Sequence, residues 1–451
     1  MERDNGSSGR RLLESPSRGG ASTSAIATRG AWDSDPCVNA VLCVTAVFED
    51  WSGGNPVAMF TSVLPPTQPQ KSTGEQFSLR LKAFYAALFL TLGVQLPFLP
   101  VWLTAKGLDA RSIGIVLAVP ALIRIVAIPL ASRVADRRDA LRGVIILAAA
   151  GATLAFGVLA FAQGALAITL VYALASAAYA PAMMLVDIYA LRGLAQRGRA
   201  YGPARLWGSA AFIAASFGAG TLLDLMAPDD LIWLMVGAMA LATAAALELA
   251  PLGPEAAGNA PARASASGLL RDPAFLAAVA AASLVQASHA VYYGFSTIDW
   301  QVAGYDGRVI GALWALGVVA EIALFALSAR LPSAITPMAL LMIGAAGALV
   351  RWSAMALAPP LAVLPLLQCL HALSFGATHL GALAFVARVA PPGAGATAQG
   401  YFAVTLGITM AIATAFSGVL YGRFGGAAYG AMAMMAAVAW LCALAAKRLA
   451  R

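Results

Sequence analysis

From about residue 78 to the C-terminus the chain alternates between long apolar stretches and short breaks of polar residues, glycine or proline. A helix needs roughly 20 apolar residues to cross a hydrocarbon core about 30 Å thick. Twelve stretches have that character: 81–104, 112–134, 143–162, 166–191, 206–225, 230–249, 273–299, 308–329, 337–358, 361–388, 397–421 and 427–446. They are too long and alternate too poorly for barrel strands, so helices are the expected way of satisfying their backbones. Pro97, Pro100, Pro120, Pro129 and Pro181, with Gly93, Gly294 and Gly376, fall inside them and predict loosened or bent helices.

Composition agrees: 60% of the 451 residues are hydrophobic and 11% charged, against about 25% charged in soluble domains. The net charge of +8 does not mark a nucleic-acid binder, because the basic residues crowd the short loops of one side, among them Arg133, Arg138, Arg142, Arg192, Arg197 and Arg199. The opposite loops hold only Lys106, Arg111, Arg308 and Arg423. The positive-inside bias therefore places both termini in the cytoplasm, as an even number of crossings requires. Cys37, Cys43, Cys369 and Cys442 show neither zinc-ligand nor disulfide spacing, and no metal or other cofactor is expected.

The Pro-, Gly-, Ala- and Ser-rich segment 251–272 divides the crossings six and six. The expected organisation is a disordered N-terminal extension, 1–77, two six-helix bundles, 78–250 and 273–451, and a cytoplasmic linker, 251–272. Such a chain is an all-α polytopic membrane protein with a central cavity between its halves. Within the extension Val38–Phe48 is too short to span, no secretory signal pattern is present, and Met59 is an alternative initiator.

A charge at the centre of a membrane helix costs on the order of 2.5 to 3.5 kcal/mol on insertion scales, so such residues face a cavity and a partner. Counted along each helix, Gln95, Arg124, His289, Glu321 and His371 fall near mid-depth. All three histidines, His289, His371 and His379, lie in the C-terminal half; the less specific reading of each is a hydrogen bond to a neighbouring helix. His371 and His379, eight residues apart, are about 80° apart around a regular helix. Glu321 has apolar neighbours on every side in GVVAEIALF. Burial favours a neutral carboxyl, which suits a group that takes up and releases a proton; a fixed ion pair with Arg351, or a hydrogen bond to a histidine, is the alternative. Arg124 cannot shed its charge. Its anion is either Glu321 across the cavity or a solute carboxylate, which its fork fits, with Arg351 as competitor. Tyr292 and Tyr293 offer ring faces and hydroxyls to a flat solute. Asp299 reads as a solvated helix end or gate element, and Trp300 as an interfacial anchor.

The loop SRVADRRDALR, Ser132 to Arg142, resembles the loop signature of the major facilitator superfamily. Asp136 and Arg137 match its aspartate and following base, while Ser132 and Asp139 stand where glycines are usual. A longer resemblance joins YGPARLWGSAAF from Tyr201, the run from His289 to Ser328, LVRWSAM from Leu349 and LLQCLHALSFGATHLGALAFVA from Leu366 to the 3-phenylpropionic acid permease group of that superfamily. That group is similar in turn to the lactose and nucleoside proton symporters. The resemblance covers roughly residues 78–446 and implies a proton-linked uptake carrier for an aromatic carboxylic acid. Asp187 and Arg205 share the membrane face of Asp136. An inner gate is expected there, with Asp136 and Asp187 pairing with arginines such as Arg137 and Arg205 when the cavity faces outward; permanent pinning of the loops is the alternative.

Together these readings predict a secondary active transporter, not an enzyme, working as a monomer in a bacterial inner membrane. Protons would move through Glu321 with His371, His289 or His379. A small organic solute would bind Arg124, Arg351, Tyr292, Tyr293 and Gln95. Efflux of an amphipathic compound, or symport of a sugar or nucleoside, is the alternative on the same fold. A membrane-embedded metalloenzyme lacks its His-Glu-x-x-His helix motif here.

Overall fold

The computed structural model describes residues 69–253, 266–328, 330–332 and 334–450. The expectations for residues 1–68, Cys37, Cys43 and Met59 included, and for 254–265 of the linker lie outside the described residues. Every regular element among the described residues is helical. Eleven helical runs are long and apolar enough to cross a membrane, and the last, Gly395–Leu449, is cut by a 3-10 turn at Gly425–Ala428 into two crossings.

In order, the crossings are Pro69–Ala105, Ala110–Arg137, Leu141–Phe161, Ala165–Ala195, Gly202–Leu223 and Leu231–Leu247 in the first half. In the second half the seventh is split into Pro273–Ala287 and Ala290–Val302, followed by Gly307–Ser328 and Pro337–Met355. The tenth runs from Leu364–Cys369 through a π turn, Ala372–Ala377, into Thr378–Val389, and Gly395–Phe424 and Tyr429–Leu449 complete the set. Asp109 caps the second crossing; hydrogen bonding from Ser112 holds its exposed carboxyl below the usual range.

The first crossing starts upstream of its apolar stretch, inside the segment expected to be extension. Phe77 explains this: it is buried, stacks on Tyr189 at 5.4 Å and carries the Arg197 guanidinium 4.0 Å from its ring centre. Glu75 with Arg199 (3.3 Å) and Arg80 with Glu248 (3.6 Å) add surface ion pairs along the same added turns.

The two halves repeat one packing plan. In the first, crossings pair as one with five, one with six, two with four, three with four and three with six; in the second, seven with eleven, seven with twelve, eight with ten, nine with ten and nine with twelve. Each pair of the first list becomes a pair of the second on adding six, as expected of structural repeats. The halves meet through crossings two and eleven, five and eight, and one and seven. These contacts are tightest at the end opposite the basic loops, hereafter the far end. There Gly114 packs on the backbone of Gly418, and Gly220 on the backbones of Gly307 and Gly311, so closely that a Cβ on Gly220 would overlap the Gly307 carbonyl. Asp224 ties this contact by accepting from the Gly307 amide at 2.8 Å.

Candidate functional site

The seventh crossing breaks at Ser288 and His289, and the polar residues of the break satisfy the carbonyls it frees. Ser288 Oγ donates to the Val285 carbonyl at 2.6 Å and accepts from Trp352 Nε1 at 2.8 Å. His289, fully buried, holds Nδ1 3.1 Å from both the Val285 and the Gln286 carbonyls. Those oxygens only accept, so Nδ1 carries the proton and Nε2 accepts from Ser374 Oγ at 3.1 Å.

His371 is set the other way. Its Nδ1 lies 3.0 Å from Arg351 Nη1, and a guanidinium only donates, so Nδ1 accepts and the imidazole proton sits on Nε2. That nitrogen faces Glu321 Oε2 at 3.5 Å. A second proton on His371 would set an N–H against the guanidinium. Arg351 also donates to Gln368 Oε1 at 2.8 Å and to Ser374 Oγ at 3.3 Å, and Tyr292 donates to the same Gln368 oxygen at 2.9 Å. The result is one directed chain across crossings seven to ten. Arg351, with no exposed surface, lies 4.6 Å from the Tyr292 ring and 4.5 Å from the Trp352 ring, whose faces help to solvate the cation. Among the described residues its Nε and the Gln368 Nε2 are buried without a partner.

Several expectations change here. No direct pair joins Glu321 to Arg351 among the described residues; His371 stands between them. Tyr292 is core, 2% exposed, rather than wall, whereas its neighbour Tyr293 is partly exposed and stacks on His289 at 5.5 Å. One residue is 100° of helix turn, which is enough to separate the two. The tenth crossing likewise departs from a regular helix. Its π turn under-rotates the chain and brings His371, Phe375 and His379 into one ladder of parallel rings, with centres 5.2 and 5.9 Å apart. Phe375 and His379 are partly exposed on it, and His379 lies within electrostatic range of Glu321.

In the first half, Gln95 Nε2 donates to the Tyr172 hydroxyl at 2.7 Å, and Tyr179 donates to the Leu88 carbonyl at 2.9 Å. Arg124 lies within electrostatic range of both tyrosines and makes no ion pair with Glu321 among the described residues. Asp187 accepts from two tyrosines, Tyr85 at 2.6 Å and Tyr201 at 2.7 Å, rather than from an arginine. Arg205 lies 4.2 Å from the Phe89 ring centre and within electrostatic range of Glu321. Asp136 and Arg137 are exposed at the basic end. Asp299 accepts from Tyr421 at 3.2 Å. Gln368, Ser374 and Tyr172 were not singled out from the sequence; Gln368 and Ser374 flank His371 at helical spacing, which was the available signal. Among the described residues no group of three or more His, Cys, Asp or Glu is arranged to hold a metal ion.

Two six-helix repeats, with ionisable groups buried among the helices of the second, have the architecture of a major facilitator transporter. The chain belongs to the MFS_1-like family, whose model matches residues 78–430. It is 34% identical over 358 residues to the Escherichia coli protein described as "Probable 3-phenylpropionic acid transporter", covering 78% of this chain and 93% of that one. It is 29% identical over 345 residues to the maltose permease of Geobacillus stearothermophilus, covering 76% and 87%. The crystal structure of the nucleoside transporter NupG superposes with a TM-score of 0.70 at 19% identity, covering 83% of this chain and 99% of NupG, a likeness of fold. The chain is thus a multi-pass membrane transporter of small solutes.

Proposed function

We propose that this transporter carries a small organic acid into the cell together with a proton, by alternating access across a bacterial inner membrane and as a monomer. The observation that carries the reading is the direction of the hydrogen bonds. Arg351 fixes the His371 proton on Nε2, so Glu321 is the member of the chain that gains or loses a proton without displacing a guanidinium. It is also the more exposed partner, 19% against 10% for His371. With the basic loops cytoplasmic, the closed far end makes this the inward-facing state. Arg205 of the first half lies within electrostatic range of Glu321. Asp136, Arg137 and Asp187 are assigned to the inner gate of the opposite state. Proton and solute must favour the same state, since only differential affinity moves the equilibrium.

The His371–Phe375–His379 ladder and Tyr293 offer aromatic faces to a flat solute, and the Escherichia coli relative's name points to an aromatic acid. The maltose permease favours a neutral solute instead. Full-length protein in liposomes holding a pH-sensitive dye separates the two, with 3-phenylpropionate, maltose or uridine supplied outside. The expected result is lumenal acidification with 3-phenylpropionate beyond that of protein-free liposomes, abolished by Glu321→Gln. Solute entry without proton movement contradicts coupling, and acidification with maltose or uridine alone makes the chain a symporter of neutral solutes.

A further inference from the structure

We infer that Arg124, together with the hydroxyl of Tyr172, is the anchor that receives the solute's carboxylate, and that Arg351 is not. This rests on the reading that the solute is an acid.

Arg124 sits near the middle of the 28-residue second crossing. The exposed large apolar residues of that helix, Ile115, Leu122, Val126, Leu130 and Val134, form one stripe. At 100° per residue the stripe spans about 120°, and Arg124 points roughly 140° away from its centre. Its exposure is therefore to space inside the molecule, not to lipid. Leu117 shares its face two turns nearer the far end, and a Cβ on Gly294 of the seventh crossing would sit 3.6 Å from Leu117 Cδ1. The face that carries Arg124 is thus the one turned toward the other half.

A permanent cation at mid-depth requires an anion. Among the described residues Arg124 makes one weak contact, Nε to the Pro120 carbonyl at 3.5 Å, and no ion pair, so its terminal nitrogens remain available. Tyr172, 4% exposed, accepts from Gln95 Nε2 and has its own O–H still to donate. Among the described residues Gln95 Oε1 is a buried acceptor without a partner. A carboxylate in front of this group receives the arginine fork and the phenol proton together. Arg351 differs on every count: it is sealed from the cavity and already donates to His371, Gln368 and Ser374.

The test is calorimetric binding to the purified full chain at fixed pH, with 3-phenylpropionate and its uncharged analogue 3-phenylpropanol as probes. Wild type is expected to prefer the acid. Arg124→Gln should weaken acid binding on the order of 10- to 100-fold, the worth of a charged hydrogen-bonded contact, while leaving the alcohol unchanged; Arg124→Lys should recover part of the loss. Tyr172→Phe should weaken acid binding less, and in the same selective way. Should Arg124→Gln not fold, the Arg124→Lys and Tyr172→Phe pair decides. Undiminished acid preference in the variants, or equal weakening of both probes, overturns the anchor while the acid reading stands. If wild type binds maltose or uridine and no acid, the acid reading fails and the anchor falls with it.

Discussion

Glu321 and Arg351 occupy two positions in one chain of hydrogen bonds, and substitutions at them are expected to fail differently. Glu321→Gln keeps the shape and an acceptor for His371 Nε2. Uptake driven by a pH gradient should disappear while exchange of labelled for unlabelled solute persists, measured side by side in liposomes. Arg351→Met removes the donor to His371 Nδ1 and Gln368 Oε1. Tyr292 still donates to Gln368 Oε1, but the buried His371 Nδ1 is left without a donor at about 1 to 3 kcal/mol, so a lowered unfolding temperature is expected in a detergent melt. The charged members of this chain were legible in the sequence because a lone ionisable residue in an apolar helix has few uses. Their partnering was not, since it depends on which face each helix turns inward. For the same reason Tyr292 and Tyr293, adjacent in sequence, separate into core and wall.

At the scale of the element, two irregular crossings build the site. Twelve apolar stretches were readable by length and composition alone, but the break at Ser288 and His289 and the π turn at Ala372–Ala377 lie inside span-length stretches with no proline at either irregularity, where isolated polar residues and Gly376 do not distinguish an irregular turn from a regular helix. Hence the 80° offset between His371 and His379, correct for a regular helix, gives way to a ladder. Gly376 faces Leu324 and Glu321, with room for little else: an added Cβ would lie 2.9 Å from Leu324 Cδ2 and 3.6 Å from Glu321 Cγ. Deleting Leu373 should convert the π turn to α-helix and turn His379 off the ladder. The expected outcome is a protein that reaches the membrane and melts cooperatively yet has lost solute uptake, as read by assaying expression, melting and transport of the same preparation.

For the whole molecule, the six-plus-six division was visible from the loops, whereas the closure of one end was not. Glycine is too frequent, at 43 residues, for the five that bring backbones together at the far end to stand out before the halves are assembled. Gly220→Trp places a ring where the Gly307 backbone now lies and should hold the far end apart. Spin labels on Ala105 and Gln301, which line a cavity of about 240 Å³ at that end, should then report a longer separation than in the parent protein.

The locked imidazole of His371 also bears on energetics across the bilayer. In the proposed symport, with Glu321 as the one carboxyl free to exchange, a turnover would translocate a single H⁺, and a monovalent acid travelling with it would cancel that charge. Membrane voltage then has no purchase on the cycle. A potassium diffusion potential imposed with valinomycin is expected to leave the uptake rate unaltered, while a pH step of equivalent energy drives it fully.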